Sequence, residues 1–120
     1  MATILVVEDN PQNLKLAQLV LQKAGHAVLS ADSGEAGLAL AREQQPDLVL
    51  MDVQMPGMDG LSATRLLKAN PLTAHVKVVA LTALAMKGDA ERILAAGCDA
   101  YLAKPYHYND LISAVDRALG

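Results

Sequence analysis

The sequence predicts an α/β fold: a doubly wound, five-stranded parallel sheet in the order 2-1-3-4-5, with helices on both faces. Three observations predict it. Five short runs rich in Val, Leu and Ala alternate with five longer segments of helical character. The connections between them are short, and right-handed crossovers leave few topologies for such an alternation. The chain has 120 residues, 52% of them hydrophobic, which is enough for one core and too apolar for disorder. One domain over residues 1–120 is therefore expected.

The elements follow in order. Thr3 to Val7 (TILVV) reads as a first strand. Asn10 is then a helix cap with Pro11 at the first helical position. Leu16, Ala17, Val20, Leu21 and Ala24 form one apolar stripe, with Leu14 off it, and Gly25 stops the helix. Ala27 to Ser30 is a second strand. Asp32 to Gln45 is a capped helix that Pro46 ends. Leu48 to Met51 is a third strand, and Asp59-Gly60 turns the chain into a helix from about Leu61 to Ala69, ended by Asn70-Pro71. Val76 to Leu81 is a fourth strand. Gly88 to Gly97 is a helix with Asp89 as its expected cap. Ala100 to Ala103 is a fifth strand, and a last helix, begun by Tyr106 and Tyr108, runs to about Leu119.

Composition excludes several classes of function. No apolar run reaches membrane-spanning length, and the start Met-Ala-Thr, with Glu8-Asp9 soon after, is not a signal peptide, so a cytoplasmic protein is expected. The formal net charge of -3 argues against a nucleic-acid surface. Cys98 is the only cysteine, which rules out a disulfide framework and suits an inert small hydrophobe. His26, His75 and His107 are scattered without ligand spacing.

The polar residues collect at strand ends. The first strand ends in Glu8-Asp9, the third in Asp52, the fourth in Thr82 and the fifth in Lys104-Pro105. In the order 2-1-3-4-5 the ligand crevice opens at the carboxyl edge, where strands 1 and 3 diverge. Glu8, Asp9 and Asp52 are thus expected to face one another there, with Thr82 and Lys104 bordering them. A carboxylate pair about 4 Å apart repels by roughly 4 kcal/mol at an effective dielectric of about 20. Lys104 neutralises one charge, and a hard divalent cation would offset the rest. Taken singly, each residue is better explained in an ordinary way, Glu8 and Asp9 as a solvated turn and Asp52 as a cap on the next turn. Taken together, they point to phosphoryl chemistry, with Asp52 as nucleophile and Lys104 and the Thr82 hydroxyl on the phosphoryl oxygens.

Four pieces, Val6 to Asn10 (VVEDN), Pro46 to Gly60 (PDLVLMDVQMPGMDG), Ala80 to Ala85 (ALTALA) and Ala100 to Pro105 (AYLAKP), together resemble the receiver domain of two-component response regulators. The likeness is strongest to single-domain cell-cycle regulators and to receivers of hybrid histidine kinases. It implies the flavodoxin-like fold and a stand-alone phosphorelay switch. Asp52 would accept phosphate from a phosphohistidine of a histidine kinase or histidine phosphotransfer protein. It implies Mg²⁺, with Mn²⁺ as an alternative, held by Glu8, Asp9, Asp52 and the backbone carbonyl of Gln54. Lys104 matches the phosphate-binding lysine, with a cis bond to Pro105. Thr82 and Tyr101 match a switch pair that alters the face of the fourth helix, fifth strand and fifth helix for a downstream protein target. A weak phosphorylation-dependent dimer is a further expectation. The switch would catalyse its own phosphorylation and dephosphorylation without turning over a substrate. Gln54 and Leu84 stand where many family members carry polar or charged residues that tune phosphate loss.

Three other readings are weaker. A flavin-binding electron carrier would want a phosphate loop where Glu8-Asp9 would repel one. An aspartate-nucleophile hydrolase would want a second Asp at Gln54. A degenerate binding module would not retain Glu8, Asp9, Asp52, Thr82 and Lys104.

Overall fold

The central strands are apolar on both sides of the pleat apart from their ends, and this dictates where they lie. A strand with Val, Leu or Ile on both sides of its pleat must be covered on both faces. In the computed structural model, which describes residues 2–83 and 88–120, strands β1 (Thr3–Val7), β2 (Ala27–Ala31), β3 (Leu48–Asp52), β4 (Lys77–Thr82) and β5 (Ala100–Ala103) form one parallel sheet. Its order is β2-β1-β3-β4-β5, as expected. Helices α1 (Pro11–Lys23), α2 (Gly34–Gln44), α3 (Gly60–Ala69), α4 (Asp89–Ala95) and α5 (Tyr108–Leu119) connect the strands and continue from the last.

Period-two alternation divides the core into two layers. Leu5, Val7, Val49, Met51, Val78 and Ala80 face α2, α3 and α4, where they meet Leu38, Ala41, Leu61, Leu67 and Ile93. Ile4, Val6, Leu48, Leu50, Val79 and Leu81 face α1 and α5, where they meet Ala17, Leu21, Leu111 and Val115. β5 is an edge strand with Ala100 and Leu102 turned to the second layer, while Tyr101 and Ala103 are exposed.

The structure corrects several local expectations. Ala17 and Leu21 do lie on the buried stripe of α1, and Val20 is partly buried against it. Leu16, however, is 39% exposed and Ala24 is exposed, whereas Leu14 is partly buried against the second layer. The apolar positions of α1 permit two adjacent stripes, and α5 selects the one through Leu14. Asp89 does not cap α4. It is the first helical residue and pairs with Arg92 at 3.0 Å, while Gly88 takes the cap position at φ +92. Ser33 rather than Asp32 caps α2, accepting from the Ala36 N–H at 3.1 Å. The last helix starts at Tyr108, which is 55% exposed; Tyr106 lies before it, packed on the second layer. Asn10 caps α1 as expected, accepting from the N–H groups of Gln12 and Asn13. No described helix is long and apolar enough to cross a membrane.

Candidate functional site

The alternation that builds the core also sorts the residues at the strand tips. Asp52 continues β3 on the side of Leu48 and Leu50, so it points toward the α1 and α5 face. Glu8, one residue past β1, and Lys104, one past β5, keep the same phase and meet Asp52 there. The Lys104 ammonium lies 3.2 Å from Glu8 Oε1 and 3.3 Å from Asp52 Oδ1. It therefore sits between two carboxylates, where charge counting alone assigned it one. Asp9 completes the group: one oxygen from each of Glu8, Asp9 and Asp52 falls within 4.8 Å of the others.

Burial differs sharply within this set. Glu8 and Asp52 are 3% and 4% exposed, whereas Asp9 is open to solvent. Backbone donors hold the two buried carboxylates. The Asn10 N–H donates to Glu8 Oε2 at 3.3 Å, and the Gln54 N–H donates to Asp52 Oδ1 at 3.1 Å. Burial raises the Glu8 carboxyl above its ordinary range, and the hydrogen bond and charge of Asp52 push the same way. For Lys104, burial acts to lower the ammonium, but the charges of Asp52 and Glu8 outweigh it and hold it above its usual value. Three carboxylates thus face one ammonium. Their all-oxygen donor set suits a hard divalent cation, and that ion would bring the formal charge of the group to zero.

The peptide between Lys104 and Pro105 is cis, as the resemblance implied. The Lys104 N–H donates to the Thr82 carbonyl at 2.7 Å, tying the ends of β4 and β5 together. The Thr82 side chain itself shares the phase of Val78 and Ala80, facing the α3 and α4 layer. It is 6% exposed and lines a groove of about 750 Å³ together with Gln54, Arg65, Asp89, Arg92 and Ile93. Tyr101, 39% exposed, is on the same side of the sheet as Thr82. The seven site residues read from the sequence therefore separate into two groups: Glu8, Asp9, Asp52 and Lys104 in the crevice beside the Gln54 backbone, and Thr82 with Tyr101 across the sheet. Leu84 lies outside the described residues.

Other polar residues have structural partners. His26 Nδ1 accepts from the Ala2 N–H at 3.1 Å, so it is not a bare surface histidine. Cys98 is buried, its thiol 3.8 Å from the Thr64 hydroxyl and pushed up by burial. Burial also raises the Tyr106 hydroxyl, with Lys104 acting to lower it and Glu8 and Asp52 to raise it, and its ring packs on the second core layer. Sequence reading missed a tie at the opposite end of the sheet. Lys68 Nζ donates to the Val76 carbonyl at 2.8 Å and to Asp99 at 3.0 Å, and Asp99 also accepts from the Val78 N–H at 2.8 Å. It also missed the two arginines of the groove. These contacts join residues far apart in the chain, and no local pattern marks them.

Known proteins share this fold and much of this sequence. The chain is 42% identical over 118 residues to the polar-differentiation response regulator DivK of Brucella ovis, covering 98% of this chain and 96% of that protein. A response regulator from Chloroflexus aurantiacus J-10-fl superposes with a TM-score of 0.93 at 33% identity, covering 98% and 97% of the two chains. The receiver domain of a sensor histidine kinase from Pseudomonas aeruginosa PAO1, solved with a magnesium ion coordinated in its active-site cleft, superposes with a TM-score of 0.91 at 39% identity, covering 99% and 98%. Residues 4–116 match the family described as the response regulator receiver domain. The chain belongs to that family and is a receiver of two-component signalling.

Proposed function

We propose that this receiver accepts a phosphoryl group on Asp52 from the phosphohistidine of a histidine kinase or phosphotransfer protein in the cytoplasm. The observation that carries the reading is the clustering of Glu8, Asp9 and Asp52 within 4.8 Å around a lysine that touches two of them. An Asp52 oxygen attacks the phosphorus as the phosphorus–nitrogen bond of the donor breaks. The bonding pair returns to the imidazole, and an acyl phosphate forms. Glu8, Asp9, Asp52 and the Gln54 carbonyl would hold Mg²⁺, as the Pseudomonas receiver holds magnesium in its cleft. When bound, the ion offsets the charge of donor and acceptor oxygens. Lys104 leaves its two carboxylates to follow the charge onto the phosphoryl group.

Thr82 and Tyr101 report the change on the other side of the sheet. The Thr82 hydroxyl turns toward the phosphoryl oxygens, Tyr101 turns inward, and the surface of α4, β5 and α5 changes its preference for a downstream protein or a second copy. The chain then acts as one receiver domain that catalyses its own phosphorylation and dephosphorylation. The likeness to a kinase-borne receiver favours a second setting, in which the same chemistry passes phosphate within a hybrid kinase.

The test is incubation with a small phosphodonor, or a cognate phosphohistidine protein, and Mg²⁺, read by intact mass. One added phosphoryl group is expected, absent without Mg²⁺ and absent in Asp52→Asn. No adduct from any donor would refute the mechanism.

A further inference from the structure

Gly60 is the first residue of α3 and lies outside the charged cluster, yet it touches the peptide of Asp52. A Cβ built there would fall 2.1 Å from the Asp52 carbonyl oxygen, 2.8 Å from its carbonyl carbon and 2.9 Å from the Val53 Cα. All three neighbours are backbone, so no side chain can swing away to make room. The close approach lets the Gly60 N–H donate to the Val53 carbonyl at 3.0 Å. The Gly60 carbonyl in turn accepts from the buried Thr64 hydroxyl at 2.8 Å. Residues 53–60 are thereby closed into a ring on the end of β3. Met55 is buried and Met58 packs against the first core layer, which seats the ring from below. Gln54 lies within this ring, and its N–H holds Asp52 Oδ1 at 3.1 Å.

We infer that Gly60 is a positioning residue for the phosphoacceptor site: its lack of a side chain closes the 53–60 ring and so fixes the Asp52 carboxylate and the Gln54 backbone for the cation. This rests on the proposed Mg²⁺ site. Any side chain at Gly60 must lift α3 from β3 and open the ring at the Val53 carbonyl. The carboxylates would keep their chemistry but lose their spacing, and a hard cation with strict octahedral demands is sensitive to such a change.

The test compares Gly60→Ala with Gly97→Ala. A Cβ at Gly97 would meet the Lys68 side chain at 2.9 Å, and its φ of +107 strains any replacement, but it lies at the other end of the sheet. Mg²⁺ affinity is measured by calorimetry on folded protein, and amide hydrogen exchange of Gln54 is measured without metal. Gly60→Ala is expected to weaken Mg²⁺ binding at least about tenfold and to speed Gln54 exchange, while Gly97→Ala loses stability but keeps Mg²⁺ affinity within about twofold. Affinity within twofold for Gly60→Ala, or an equal loss in Gly97→Ala, overturns the inference. If Gly60→Ala does not fold, Gly34→Ala decides: its Cβ would press on Met58 at 3.2 Å from the other side of the ring. A loss of threefold or more then supports the inference and an unchanged affinity overturns it. Wild-type protein that binds no Mg²⁺ would instead refute the metal site, and Gln54 exchange would decide the role of Gly60 alone.

Discussion

Replacing Glu8 with Gln should stabilise the metal-free protein. Two pairwise terms change. The Lys104 ammonium, 3.2 Å from Glu8, attracts it by about 5 kcal/mol at an effective dielectric of about 20. Asp52, with an oxygen no more than 4.8 Å away, repels it by about 3.5 kcal/mol or more at the same dielectric. The pairs alone favour the charged form by less than about 2 kcal/mol. Against them stands the removal of a 3% exposed carboxylate from water, which costs several kcal/mol. The raised Glu8 carboxyl, with burial as its first cause, shows which side prevails. Gln keeps the shape and replaces a charge beside Asp52 with an amide donor, its one oxygen accepting from either the Asn10 N–H or Lys104, which stays paired with Asp52. In EDTA at pH 7, Glu8→Gln should be more stable by about 1 kcal/mol, or about 4 °C in melting temperature.

The pH dependence follows from the direction of the shift. Folding favours protonated Glu8, so its ionisation costs stability above the unfolded value near 4.5. The advantage of Gln should be absent below that pH, grow as pH rises through the raised folded value, and then level off. Mg²⁺ should narrow or reverse it, because the wild type gains more from the ion. The assay is urea or thermal unfolding of both proteins, with EDTA and with Mg²⁺, across that range. A variant less stable than wild type by more than about 2 kcal/mol in EDTA would refute the reasoning, and so would a difference that does not vary with pH.

Other outcomes are expected. Asp9→Asn should abolish most of the Mg²⁺-induced rise in melting temperature and change the metal-free value little, since Asp9 is exposed; an undiminished rise would count against Asp9 as a ligand. Asp59 caps α3, accepting from the Ser62 N–H at 2.8 Å, and that bond holds its carboxyl below the usual range. Asp59→Ala should lose about 1 kcal/mol at pH 7, a deficit that fades as pH falls through the depressed folded value, while Asp59→Asn retains a cap at all pH values; denaturant midpoints read both. In α1, Leu21→Ala should cost about 2–4 kcal/mol, Leu14→Ala less, and Leu16→Ala under about 0.5 kcal/mol. A larger loss at Leu16 than at Leu14 would contradict the observed register.

The fold was legible because its strands and helices carry different periods, and because β1, β3 and β4 are apolar on both sides. Strand bounds moved by only a residue or so, as at Asp52, which belongs to β3. Helix α1 was harder. Its segment NLKLAQLVLQK offers apolar residues on adjacent stripes, and tertiary packing against α5 chose between them. The candidate site was legible as a set, since topology alone brings Glu8, Asp9, Asp52 and Lys104 to one edge. Distances were not. That Lys104 bridges two carboxylates, that Glu8 is buried while its neighbour Asp9 is not, and that Gly60 abuts the Asp52 peptide all depend on side-chain reach and backbone approach. The Lys68–Asp99 tie spans 31 residues and leaves no sequence pattern.

The alternation at the strand tips also makes the two halves of the device separately adjustable. Neighbouring residues on β4 and β5 look into different compartments: Leu81 and Leu102 support the layer beneath the charged crevice, while Thr82 and Tyr101 belong to the side where α4 lies. A change at one position therefore need not disturb the residue beside it. Substitutions on the α4 side can reshape that surface while Glu8, Asp9, Asp52 and Lys104 keep their places on the other.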